Sequence, residues 1–384
     1  MQVRACLLGL LLALALPSGA GPREQAKRIH DRLAGVPPTA ATLDAMAADI
    51  ADGRVIQAAY TAMESPAFYN VTLKNFVAPW TNKERTAFVP LNDYTATVIG
   101  MVRDDIPFNT VLSADILYVG GPGLGLPVYA MNSNAHYEAM DERGTDLKSG
   151  LVKTTQSAAS DLPPQGIAGV LSTRAAAEAF FKAGTNRAML SYTVENYLCK
   201  DLGELKDPSL PVDRIPQDVS RSPGGDSRIY LNACSGCHTG VDPLNQAFAY
   251  YNWDEAAARI AYTAGQVQPK YLINADNFRA GYVTRDDQWE NYWRRGQNRI
   301  LGWAGSGAGS AGSGHGAASL GAEFANSEAF AQCQVKKVFR NVCLRDPVDG
   351  ADRSQVDDMA GSFRSNGYQL KRVFAEAAAY CKGD

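Results

Sequence analysis

The sequence predicts a mainly α-helical protein: a helical N-terminal domain followed by a second helical domain with long loops. Three observations lead there. Apolar residues recur at three- and four-residue spacing along most of the chain, and few stretches alternate as a half-buried strand would. Residues 202–226 are rich in Pro, Asp, Ser and Gly and break the helical pattern, as a connector between two domains does. The length of 384 residues suits two domains. With 46% hydrophobic and 20% charged residues, composition is that of an ordinary globular protein.

The first element is a leader. Arg4 precedes an apolar run from Cys6 to Leu16, and Pro17, Ser18, Gly19 and Ala20 follow. A basic start, a short apolar stretch and small residues at the cleavage position describe a secretory signal peptide cut after Ala20. The run is short of the roughly 20 apolar residues that a membrane span needs. No later stretch qualifies, so no transmembrane segment is expected. The 37 basic and 40 acidic side chains nearly balance, which argues against nucleic acid as a partner. Export implies a periplasmic or extracellular location, where thiols tend to be oxidised or otherwise occupied.

Helices are expected in order over Thr39–Asp52, Arg54–Glu64, from Ser65-Pro66 through Phe76, and over Asn92–Met101. Gly120-Gly121-Pro122-Gly123 is a turn, and 145–170 is irregular, with Pro163-Pro164 as a breaker. Ala175–Lys182 and Asn186–Cys199 read as helices. Past the connector, Asp242-Pro243 suits a helix start, and Thr284–Arg295, Ala317–Cys343, Gln355–Phe363 and Gln369–Tyr380 read as helical. Residues 302–316 form a Gly/Ser-rich loop. Within it, Gly307, Gly309 and Gly312 match a dinucleotide fingerprint by letters only, because no strand precedes them. The domain plan is then 1–20 signal peptide, 21–205 helical N-terminal domain, 206–226 connector, and 227–384 second domain with a C-terminal helical set.

The chemistry is concentrated at 234–238, Cys-Ser-Gly-Cys-His. On a helix, cysteines three apart project from one face. Each thiol can then join one of the two vinyl groups of a haem, and the histidine that follows can ligate the iron. This is the signature of c-type haem attachment, with roughly 10⁻³ chance matches expected in a chain of this composition. A zinc ribbon would need a second close Cys/His pair, and a redox dithiol would normally sit in a βαβ setting. One covalent haem c is therefore expected, held by Cys234 and Cys237, with His238 on the iron.

Around this motif the chain resembles the secreted planctomycete-type c-type cytochromes, multi-domain proteins of unknown function with one such haem motif. The matching phrases are CSGCHTGVDPLNQAF at 234–248, GIAGVLSTRAAAEAF at 166–180, AQCQVKKVFRNVCLRDP at 331–347 and LKRVFAEAAAYC at 370–381. Asn245 departs from the glycine that usually follows Asp-Pro-Leu. The resemblance implies export, haem and a helical, cytochrome c-like haem domain, but no defined reaction.

The second axial ligand is open. His315, in the Gly/Ser loop C-terminal to the motif, is the leading candidate, with Met131, Met140, His136 and Met359 as alternatives. Against these roles stand the ordinary ones of a solvated loop histidine and of core methionines. Of seven cysteines, Cys6 lies in the leader and two serve the haem, leaving Cys199, Cys333, Cys343 and Cys381. If the last three helices alternate in direction, Cys343 and Cys381 come together and Cys199 is left for Cys333.

No acid–base constellation stands out, so electron transfer with a redox partner protein is the leading expectation, rather than an enzyme. A peroxidase-like or oxidase-like haem enzyme is the alternative. A haem-bearing module of a larger surface assembly or oligomer is a third, motivated by the large N-terminal domain.

Overall fold

The structure is a computed structural model and describes residues 20–182, 187–215, 226–273, 284–305 and 312–383. The expected leader lies outside the described residues as far as residue 19, and so do Gly307 and Gly309. The protein is mainly helical, 58% helix against 8% strand. No described helix is long and apolar enough to cross a membrane.

Helices α1 (Pro22–Ala34), α2 (Ala40–Ala51) and α3 (Val55–Met63) pack on one another. The first was not evident as a helix from sequence; it starts with proline at its first position and ends on Gly35 in the left-handed region. Thr39 caps α2 by accepting from the Thr42 N–H at 3.1 Å. A π-helical turn (Phe68–Leu73) leads into α4 (Lys74–Val77). Helix α5 (Asp93–Arg103) is buried from Asp93 to Val102.

Strand β1 (Leu117–Gly120) and α6 (Ala135–Glu142) follow, and the region 145–170, read as irregular, holds the short pieces α7 (Leu147–Gly150), β2 (Leu151–Thr154), antiparallel to β1, and α8 (Gln156–Ala159). Next come α9 (Arg174–Phe180) and α10 (Ala188–Leu198). Fully buried Asp93 accepts from the Arg174 and Ala175 N–H groups at 2.6 and 3.1 Å, so its carboxylate caps α9. Burial nevertheless raises its pKa.

The second half contains α11 (Ser227–Ile229), α12 (Ser235–Asn245), the hairpin of β3 (Tyr251–Asp254) and β4 (Arg259–Tyr262), and the pair β5 (Gln288–Glu290) and β6 (Ser313–His315). It closes with α13 (Gly316–Ala325), α14 (Glu328–Cys343), α15 (Gly350–Ser365) and α16 (Leu370–Tyr380).

Three expectations are corrected locally. Thr284–Arg295 is not a helix: strand β5 and a tight turn at Tyr292–Arg294 replace it. Trp289 and Trp293 are four apart, as on one face of a helix, yet β5 buries the first and the turn buries the second. Ala317–Cys343 is two helices, because Ser327 accepts from the Phe330 N–H at 3.1 Å and starts a new one. No helix begins at Asp242-Pro243; α12 runs straight through Pro243.

The main hydrophobic core is continuous from Ala26 to Ala378 and crosses the connector. Helix α16 packs on α1 and α3, and α14 packs on α10. Cys199 is bonded to Cys333 and Cys343 to Cys381, with Cα atoms 5.2 and 5.5 Å apart. Antiparallel stacking of α14, α15 and α16 brings the second pair together.

Candidate functional site

The site is built on one nearly continuous helical stretch. Helix α11 passes into a π-helical turn, Tyr230–Cys234, and then into α12. Such turns are frequent at functional sites. Ser235 donates back to the Leu231 carbonyl at 2.8 Å, tying the turn to the helix. Behind it, the Asp207 N–H donates to the Gly236 carbonyl at 2.7 Å and the Thr239 hydroxyl donates to the Asp207 carbonyl at 3.3 Å. The start of α12 is thereby fastened to the chain that the sequence assigned to a connector.

Cys234 and Cys237 sit three residues apart on this helix, both half-buried and both free thiols. The other four cysteines of the described residues are in disulfides. Cys234 packs with Val212, Ile215 and Tyr230 in a small apolar cluster separate from the main core. Ile229 and Leu231, on the turn leading in, are about half exposed, at 48% and 51%.

His238 follows, with its side chain 25% exposed and the Tyr230 ring edge-on at 5.7 Å. Its Nδ1–H donates to Asp242 Oδ2 at 2.8 Å. A carboxylate can only accept, so Nδ1 carries a proton, and in the neutral ring Nε2 is the nitrogen with the lone pair. Among the described residues, Nε2 has no hydrogen-bond partner. Asp242 is 2% exposed, and its Oδ1 accepts from Arg187 Nε at 2.7 Å. Arg187 stands immediately ahead of α10.

This donor set fits covalently attached haem. Two unpaired thiols share a helix face, and an imidazole with one nitrogen available follows them. A bare metal ion fits less well, because no group of three or more His, Cys, Asp or Glu among the described residues is arranged to hold one.

The candidates for the second axial position are placed as follows. His136 has both nitrogens engaged: Nδ1–H donates to the Pro127 carbonyl at 2.6 Å, and Nε2 accepts from the Gly120 N–H at 2.8 Å. Neither is left for a metal. Met131 is buried, and its sulfur accepts from the Tyr129 hydroxyl at 2.9 Å. Met140 and Met359 are each 1% exposed in the main core. His315 ends β6, with its side chain 63% exposed and Nδ1 3.2 Å from Asp287 Oδ1. No hydrogen bond or ring contact joins any of the five to His238.

Two residues of the site escaped sequence reasoning. Asp242 had a signal, since it lies four residues after His238 and a helix continuing through Pro243 stacks the two on one face. Arg187 had none, being 55 residues away in the chain. A separate polar cavity of about 780 Å³, lined by Asn82, Asn92, Asn134, Glu138, Arg174 and Glu178 among others, includes none of the motif residues. Compared with protein-family models, curated proteins and solved structures, the chain matches none of them.

Proposed function

We propose that the chain is an exported c-type cytochrome with one covalent haem, and that it exchanges single electrons with a redox partner protein. The observation that carries this reading is the pair of free thiols at Cys234 and Cys237 beside His238, whose Nδ1 is held by Asp242 and whose Nε2 is left available. Each thiol S–H adds across one vinyl C=C: a sulfur–carbon bond forms, the hydrogen passes to the other vinyl carbon, and no oxidant is consumed. Haem iron, once bound, alternates between two oxidation states that differ by one electron. Cys234 and Cys237 fix the haem edge, Val212, Ile215 and Tyr230 supply an apolar wall beside Cys234, and His238 presents Nε2. The resemblance noted around residues 234–248, the leader and the two disulfides agree with export.

The test is to purify the chain from a host with working haem-ligation machinery outside the cytoplasm. The expected product is coloured, weighs one haem more than the processed polypeptide, and loses both properties when Cys234 and Cys237 are replaced by alanine. A colourless protein at polypeptide mass overturns the reading.

A peroxidase-like enzyme is the second reading, favoured by the carboxylate on His238, because such a partner makes a histidine ligand more electron-donating. A six-coordinate low-spin spectrum without peroxide turnover supports the carrier. A high-spin iron that binds carbon monoxide supports the enzyme.

A further inference from the structure

We infer that Asp242, clamped by Arg187, is a positioning residue that strengthens His238 as an iron ligand and so lowers the reduction potential of the haem; this rests on the reading above. Asp242 and His238 lie four apart on α12, where side chains stack over one another, and their hydrogen bond is 2.8 Å. Asp242 is nearly sealed from solvent, with its side chain 3% exposed. A buried carboxylate whose charge water does not screen acts at short range on its neighbours. Its two oxygens are divided: Oδ2 takes the imidazole N–H and Oδ1 takes Arg187 Nε.

The consequences are chemical. Accepting the hydrogen bond from Nδ1–H favours the tautomer with its proton on Nδ1, leaves Nε2 without a part in that bond and increases electron density on the ring. Partners of this kind raise ligand basicity, and losing one changes metal-site properties by about tenfold or more. A more electron-donating ligand stabilises the oxidised, more positive iron. Arg187 opposes part of the carboxylate charge. Because Arg187 belongs to the start of α10, the N-terminal half of the chain takes part in setting the site.

The test compares midpoint potentials of the haem-loaded full chain, its Asp242→Asn variant and its Arg187→Gln variant, by spectroelectrochemical titration. Asp242→Asn keeps the shape and removes the charge. It should raise the ratio of reduced to oxidised protein at fixed potential about tenfold, an upward shift of about 59 mV for one electron. Arg187→Gln leaves the carboxylate unopposed and should shift the midpoint downward. Opposite signs distinguish this role from mere loosening of the fold, which would move both variants the same way. Unchanged midpoints, or shifts of one sign, overturn the inference. If Asp242→Asn does not fold, Arg187→Gln decides alone: a downward shift supports the inference, and no shift or an upward one overturns it. A wild-type chain that carries no haem sinks the parent reading instead.

Discussion

The indole of Trp293 lies against the bare Cα of Gly240, two residues past His238. A β-carbon at 240 would overlap the indole ring. Gly240 is fully helical, so its value here is its size. Trp293 is 0% exposed, and its ring stacks near Phe324 at 6.5 Å. The tryptophan thus sets how closely α12 approaches the aromatic core from the side away from His238.

Gly240→Ala should therefore destabilise the protein by about 1–3 kcal/mol through overpacking, although alanine is the better helix former. Urea unfolding checks this. A midpoint equal to or above wild type would show that Trp293 can retreat without loss.

The disulfides close loops of very different size, with sequence separations of 134 and 38. In the chain-entropy picture, their removal destabilises by about 5 and 4 kcal/mol respectively. Replacing both members of each pair by serine and measuring unfolding tests the order. Mass mapping of the unreduced protein should find Cys199 with Cys333 and Cys343 with Cys381, and Cys333 joined to Cys343 would contradict the helix packing described.

Acid stability should depend on Asp352. Arg345 foremost, then the Val348 N–H at 3.0 Å and the Tyr380 hydroxyl at 2.9 Å, hold its carboxyl far below the usual range. A depressed carboxyl pKa stabilises fully above the unfolded value of about 3.9, and the effect is lost as pH falls below it. Asp352→Asn should thus be less stable than wild type near neutrality, with the gap closing toward pH 2. Urea midpoints across that range provide the check, and a constant gap would refute the assignment.

Alkaline behaviour should depend on Lys270. Its ammonium donates to the Phe181 carbonyl and to Asn252 Oδ1, the latter at 2.9 Å. Burial pushes its pKa down to about 8. A depressed lysine holds fewer protons folded than unfolded, so stability rises with pH between about 8 and 10. Lys270→Met should flatten that rise, measured from about pH 7.5 to 9.5, below the range in which tyrosines ionise. An unchanged slope would place the titration elsewhere.

Much of this was legible locally. Helices α2, α3, α5, α9, α10 and α16 follow apolar spacing that sequence alone displays, and α2, α5 and α9 also start on the side-chain caps Thr39, Asn92 and Thr173. Less legible were elements whose signal is shared between two structures. Trp289 and Trp293 fit a helix face as well as a strand followed by a turn, and only the partner strand β6 separates the two. Asp242-Pro243 marks a helix start in isolation; in context, the preceding turns carry α12 through it.

By itself, the sequence determined the chemistry on offer: two thiols and an imidazole at fixed spacing, and five further cysteines, four of them among the described residues. It did so because covalent order and helical pitch are local properties. The tertiary structure alone decided which distant partners those groups meet and which others are spoken for. Arg187 reaches Asp242 across 55 positions, and Gly120 and Pro127 occupy both nitrogens of His136. Such partners are chosen by packing between distant segments, and no local pattern of residues encodes that packing.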